Sequence, residues 1–211
     1  MHRRTLLQGA SALLPTLKFA ADYQTIDLIR IGIVLDERDS GGPATAADFE
    51  RIKGHEPSAL TFTDRRFDWI PIAPNPTTVT SVDGVKMDAV PYSPFDVLSI
   101  GTATRTRSYR MDLAVGVSAS RRRGEAFSTE IIIDIEGTRK NGRPGRSHHE
   151  IVHPGGEAPL TALGVVQGVE QLLGLTGGEP AKAGLYFLES LLNPDKFVCR
   201  MESIGTQITT R

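Results

Sequence analysis

The stretch TIDLIRIGIVLDERD, Thr25 to Asp39, most constrains what this chain can fold into. Ile29, Ile31, Ile33 and Leu35 alternate with Leu28, Arg30, Gly32 and Val34, the period-two pattern of a strand with one strongly apolar face. The hundred residues that follow repeat the theme. SALTFTD is a short strand, and NPTTVTSVDGVKMDAVPYSP is a hairpin turning at Asp83-Gly84. DVLSIGTATRT, SYRMDLAVGVSAS and AFSTEIIIDIEGTR read as three longer strands. Tyr109, Met111, Leu113, Val115 and Val117 share a face in the second, as do Ile131, Ile133 and Ile135 in the third.

Helices are expected elsewhere. Ser40-Gly41-Gly42 is a turn, Pro43 suits a first helical position, and the run to Ile52 is compatible with a helix. In APLTALGVVQGVEQLLGLTGG, helical spacing puts Ala162, Val165, Val166, Val169, Leu172 and Leu173 on one apolar face. Gly164 and Gly168 sit four apart, which predicts close approach of another backbone, and Gly177-Gly178 closes the helix. A second piece is expected from Pro180. In NPDKFVCRMESIG, Asn193 is the N-cap, Pro194 the first position and Gly205 the stop. TQITTR finishes as an edge strand. Many antiparallel strands, with helices gathered in the C-terminal third, predict an α+β fold with a mixed, largely antiparallel sheet.

Composition excludes several classes of function. The chain has 211 residues, enough for one sizeable core. Its 24 basic and 25 acidic side chains nearly cancel, so it is not an electrostatic nucleic-acid binder. Arg121-Arg122-Arg123 reads as a solvated hairpin end, with a phosphate-binding turn as the alternative. Asp36 to Asp39 likewise reads as a solvated strand end. Cys199 stands alone, so there is no disulfide framework and no thiolate metal site. No run approaches the ~18 apolar residues that would span a membrane. The paired Arg3-Arg4 before Leu6 to Leu14 resembles a twin-arginine export signal, but Pro15 and Lys18 interrupt the apolar run.

His149-Glu150-Ile151-Val152-His153 is a formal match to the H-E-x-x-H pattern of zinc proteases. That pattern needs a helix to bring residues i and i+4 together. Here Pro144 and Gly145 lie upstream, Pro154-Gly155-Gly156 follow, and Ile151 and Val152 are β-branched. As a strand the two histidines share a face about 13 Å apart, at ~3.3 Å per residue, too far to share one ion. Glu170 is a formal third ligand on a downstream helix. No metal is expected. His148, His149 and His153 are instead candidates for proton transfer, because imidazole titrates near neutrality.

The segment from Val152 to Ile208 resembles the C-terminal part of saccharopine dehydrogenase-like oxidoreductases. It carries Leu160-Thr161-Ala162, a glycine-rich turn, Gly184-Leu185-Tyr186-Phe187-Leu188-Glu189, and Phe197, Gly205 and Ile208 at the close. Leu188 stands where that family's element has proline. DSGGPATAADF is similar to the family's Ser-Gly-Gly-Thr turn, with Pro43 in place of threonine, and LLQGASALLP to its passage out of the nucleotide domain. The resemblance implies a crossover-like segment over 1–22 and a single α+β domain over 23–211. It implies a homodimer, a cytoplasmic location and a small-molecule substrate, with no nucleic acid and no membrane as partners.

No G-x-G-x-x-G turn occurs anywhere in the chain. The expectation is therefore the substrate-side and oligomerisation domain of an NAD(P)-dependent oxidoreductase. It binds no cofactor by itself and is inactive until a Rossmann domain joins it in cis or in trans. The alternative is an exported or stand-alone, non-catalytic binding domain. Candidate substrate-binding groups are the backbone N–H groups of Ser40, Gly41 and Gly42 at a helix entrance, Arg30 as a carboxylate clamp, and Thr161 near a helix start. His149 and His153 are the catalytic candidates.

Overall fold

The computed structural model describes residues 10–39, 42–43, 58–73, 75–93 and 96–211. Among these residues the sheet has nine strands: β1 Tyr23–Asp36, β2 Ser58–Thr63, β3 Arg66–Pro71, β4 Thr77–Thr80, β5 Lys86–Pro91, β6 Ser108–Gly116, β7 Ser128–Arg139, β8 Pro144–Pro154 and β9 Gln207–Thr210. They run in the order β3-β2-β6-β1-β7-β8-β9, and β5 ties the β4–β5 hairpin to β6. β1 pairs parallel with β6, and the other pairings are antiparallel. The helices are α1 Ala10–Ala20, α2 Asp96–Ala103, α3 Ala119–Arg122, α4 Ala158–Leu172, α5 Leu188–Leu191 and α6 Pro194–Ser203. The fold is α+β.

Alternation along the strands divides the sheet into two unlike faces. Ile29 and Ile31 of β1, Tyr109 and Met111 of β6, Ile131, Ile133 and Ile135 of β7, and Ile151 of β8 all face the helices. Leu13 and Leu14 of α1, Val97 and Ile100 of α2, Leu160 and Leu163 of α4, and Phe197 and Met201 of α6 close over them. Burying a side chain of this size is worth about 1.5–3 kcal/mol, so this cluster dominates the stability. Val34, Val79, Ala89, Ala114 and Ile132 make a smaller core on the other face, beneath the β4–β5 hairpin. Gly32 lets that hairpin close, since a Cβ there would lie 2.7 Å from Cγ1 of Val79.

The long strands, the hairpin at Asp83-Gly84 and the edge strand β9 follow the sequence pattern. Asn193 caps α6 by accepting from the Lys196 amide at 3.0 Å, with Pro194 first in the helix and Gly205 at φ +94° beyond it. DVLSIGTATRT departs from expectation. It forms α2, because Asp96, Val97, Ser99 and Ile100 recur at the three- and four-residue intervals of a helix and all are buried. No helix starts at Pro180; the next helical turn is α5. In β6, Val115 is 62% exposed, so the expected buried face ends at Leu113, while Ala114 packs into the smaller core on the other face.

α4 departs most. Its buried side is Leu160, Leu163, Gly164, Gln167 and Gly168, while Val165, Val166, Val169, Leu172 and Leu173 face solvent. A Cβ built on Gly168 meets nothing within 4 Å, so the expected close approach of a backbone is not made there.

The arginine run and the acidic strand end are only partly solvated: Glu37, Arg38 and Arg123 are exposed, but Asp36, Arg121 and Arg122 turn inward. Asp36 is buried and accepts hydrogen bonds from the Arg38 amide at 2.9 Å, the Ser118 amide at 2.8 Å and Nη1 of Arg121 at 2.9 Å. Burial pushes its carboxyl up, but the bonds from Ser118 and Arg38 and the Arg121 charge outweigh that and hold it below the ordinary value. Glu130, also buried, accepts from Oγ of Ser81 at 2.6 Å and from the amides of Val82 and Ala119 at 3.0 and 2.6 Å. Arg122 grips Asp83 at 2.6 Å and the Val117 carbonyl. These side chains lock α3 and the β4–β5 hairpin onto the ends of β1 and β7.

The helix expected over 43–52 lies outside the described residues, apart from Pro43. α1 has Pro15 within it, and its Ala12, Leu13, Leu14 and Phe19 belong to the main core.

Between Tyr23 and Leu28 the pairing of β1 with β7 slips through two irregularities, and Gly137 sits opposite them. A Cβ on Gly137 would lie 2.2 Å from the Thr25 carbonyl oxygen, a backbone atom that cannot swing away. Gly137→Ala is expected to destabilise the protein by about 2 kcal/mol or more, read as a drop in the midpoint of denaturant unfolding.

Candidate functional site

The PGGE segment after β8 organises one end of the helical face. Gly155 and Gly156 have φ of +86° and +88°, a conformation that favours glycine. A Cβ on Gly156 would lie 2.4 Å from Oδ2 of Asp39. That proximity lets Asp39 accept from the Glu157 amide at 2.7 Å and from Oγ1 of Thr129 at 3.3 Å. Glu157 precedes α4, and the Thr161 hydroxyl donates to its Oε1. Asp39, next to Ser40, and Thr161 thus meet at Glu157, Asp39 at its amide and Thr161 at its carboxylate. Ser40 and Gly41 themselves lie outside the described residues, and Gly42 is exposed.

A group of acids and phenols lies on the same helical side. Asp96 opens α2 and is fully buried, and among the described residues its Oδ2 has no partner. The hydroxyl of buried Tyr109 in β6 and Oε2 of Glu189 in α5 also lack partners. Burial, followed by the charge of Glu189, pushes the Asp96 carboxyl up to about 7. Burial pushes Tyr92 up to about 12, reinforced by the charges of Asp96 and Glu157. Tyr109 is raised well above its ordinary value, first by burial and then by Asp96. Burial also raises Glu157, with help from Asp39 and against the Thr161 bond. The electrostatic coupling links Glu189 to Asp96, Asp96 to both tyrosines, Tyr92 to Glu157, and Glu157 to Asp39.

An acid that titrates near neutrality in a dry site can hold or release a proton at working pH. The two phenols stay neutral there and can donate hydrogen bonds. Sequence periodicity missed Asp96 because DVLSIGTA also alternates tolerably as a strand. The signal that could have found it is the acid placed to open a helix two residues after Pro94.

The other sequence candidates lie elsewhere. Arg30 is exposed on the opposite sheet face, beside Arg110 of β6 and Asp134 of β7 in register. His149 and His153 lie on a strand, not a helix, so they cannot close on one ion from i and i+4 positions. The His149 ring stacks on Phe19, with centroids 3.7 Å apart and planes 2° from parallel. Its nitrogens contact Oγ1 of Thr210 at 2.9 Å and Oγ of Ser147 at 3.0 Å, and Tyr23 bonds the same serine at 2.9 Å. His153 is buried against Oγ1 of Thr206 at 2.9 Å. His148 points to the open face, where it contacts Asp134 at 2.7 Å and Glu150 at 3.1 Å, and Arg211 pairs with Glu150 at 3.2 Å. Among the described residues, no three His, Cys, Asp or Glu side chains are grouped to hold a metal ion.

No protein-family model matches this chain, and no curated protein matches its sequence.

The three strand histidines are expected to titrate in a fixed order. Burial lowers His148, but the bonds from Asp134 and Glu150 outweigh it and leave the ring above 6.5. Burial lowers His153, and burial with the nearby His148 and Arg139 charges takes His149 down to about 4. Proton-detected NMR across the acid range should show His148 charging first and His149 last. His149 is a base with a depressed pKa, so its stabilisation is complete above pH 6.5 and falls away toward pH 4.

Proposed function

We propose that this chain is the substrate-side and assembly domain of an NAD(P)-dependent, saccharopine dehydrogenase-like oxidoreductase, working with a Rossmann domain supplied in cis or in trans in the cytoplasm. The observation that supports the reading most is the buried Asp96, with Oδ2 unpartnered, whose charge acts on the likewise unpartnered Tyr109 hydroxyl. A purely structural carboxylate in such a place would be expected to have a partner on each oxygen.

The residues present do not fit the dinucleotide. β1 and β6 are the one parallel pair among the described strands, and β1 ends on the buried carboxylate of Asp36, already satisfied by Ser118 and Arg121. A pyrophosphate brought there would meet like charge. The chain also lacks the glycine turn that would open a helix toward it. The cofactor falls to the partner domain, and this chain supplies only its own groups.

Those groups have distinct tasks. Asp96 holds or releases a proton at Oδ2 toward a small substrate's carbonyl oxygen or nitrogen. Tyr109 orients the same atom through its hydroxyl. For a substrate anion the candidates are the Ser40-Gly41-Gly42 amides, of which Ser40 and Gly41 lie outside the described residues, and Thr161, whose hydroxyl donates to Glu157. Arg30 lies on the other face and takes no part. Among the described residues no helix is long and apolar enough to cross a membrane.

The reading is tested by binding and by pH. The purified chain should leave NADH fluorescence unchanged. Small keto and amino acids that raise its melting temperature should lose that effect in Asp96→Asn and Tyr109→Phe. Tight NADH binding by the chain alone, or ligand stabilisation indifferent to both substitutions, would falsify the proposal. The folded pKa of Asp96, about 7, exceeds its unfolded value of 3.8, so the native state holds the extra proton in between. Stability attributable to Asp96 therefore declines as pH rises from about 4 to about 7, by a few kcal/mol in total at ~1.4 kcal/mol per unit. Subtracting the Asp96→Asn unfolding curve from the wild-type curve isolates this slope from those of the histidines.

A further inference from the structure

Among the described residues strand β3 ends the sheet, and every side chain in it except the half-buried Ile70 is exposed, Trp69 at 63%. It joins β2 through a two-residue turn, Asp64-Arg65, with φ of 49° and 64°. In such a hairpin the closing pair, Thr63 and Arg66, exchanges hydrogen bonds, and the pattern alternates outward. Arg66, Asp68 and Ile70 therefore turn their peptide groups toward β2, while Phe67 and Trp69 turn theirs toward the free edge. Oδ1 of Asp68 accepts the outward Trp69 N–H at 2.9 Å, and Pro71 offers no donor. This is an edge with few open positions, centred on Phe67.

We propose that a second copy of this chain docks on this edge, β3 antiparallel to β3, about a two-fold axis at Phe67. The inference rests on the assembly half of the function proposed above. In this register Phe67 exchanges both of its peptide hydrogen bonds with its own mate. Arg66 of each copy stands opposite Asp68 of the other, so one two-fold axis creates two opposite-charge pairs. Moving the axis one residue to Asp68 would set the two Asp68 carboxylates against each other. The charge pattern therefore selects the Phe67 register.

The side chains at the axis are already in place. Phe67 faces the helical side, with its ring 4.6 Å from that of Phe62 and its Cζ 3.4 Å from where a Cβ on Gly101 of α2 would lie. Little ordering is then left to lose on docking. Trp69 comes opposite Arg65 of the second copy, an arginine–indole pairing. The contact is isologous and uses up the edge, so assembly closes at two copies. At the far edge, β9 has Gln207 and Thr209 exposed and no charged residue within it, so nothing there selects a register.

The test is sedimentation velocity of the full chain across the micromolar range, comparing wild type with Arg66→Asp, Asp68→Arg and the double exchange. All the replaced side chains are exposed, so the fold should survive. Circular dichroism checks that it does. Each single exchange turns both pairs repulsive and should weaken dimerisation roughly tenfold or more, and the double exchange should restore it. A wild-type monomer throughout, single exchanges without effect, or a double exchange that fails to recover the dimer would each overturn the interface. The assay reads association alone, so those results leave the Asp96 proposal to its own ligand and pH tests.

Discussion

Everything in this molecule hangs on β1. It pairs with β7 along one edge and, from Leu28 to Asp36, with β6 along the other, and the two partners run in opposite senses. That leaves the alternation of its side chains to divide the sheet. Ile29 and Ile31 commit one face to the helices, and Val34 commits the far end of the other face to the β4–β5 hairpin. Gly32 between them is the gap that lets the hairpin lie down. Arg30, one step before, remains in the open.

The strand then ends inside the protein, on Asp36. Buried carboxylates are costly unless their oxygens are satisfied, and here two of them, Asp36 and Glu130, each collect three hydrogen bonds. Their donors come from α3, from the link before it, from the loop between β4 and β5 and, for Asp36, from the Arg38 amide just beyond β1. The polar clamp does what the small second core alone would do loosely: it fixes how α3 and the hairpin meet the main sheet. Asp96 is the counter-example. It lies in the larger core with an oxygen that nothing answers.

Much of the fold was legible because local and tertiary signals agreed. The alternation through Ile131, Ile133 and Ile135, the Asp83-Gly84 turn and the Asn193 cap each name a structure that the sheet and core then use. Where they disagreed, the sequence misled. The stripe of Val165, Val166 and Val169 has ideal helical spacing, yet the core takes the side with Leu160 and Leu163. Arg121 and Asp36 look like solvent-facing charges until distant chain segments bring them together. The same holds for the candidate site. Thr161 was singled out from local helix-start chemistry, and its hydroxyl meets Glu157, whose amide is held by Asp39. Asp96, Tyr109 and Glu189 are far apart in sequence, and no spacing rule joins them.

The orphaned oxygen of Asp96 also bears on how this sequence can drift. Replacement by asparagine or a small apolar residue would relieve the repulsion from Glu189 and the desolvation of the charge together. A lineage with no use for the acid would find that change easily, since most chains sit far from their stability optimum and relieving substitutions are abundant. An aspartate in this position carries a standing pull toward neutrality, and a neutral replacement is expected to leave the shape of the domain unchanged.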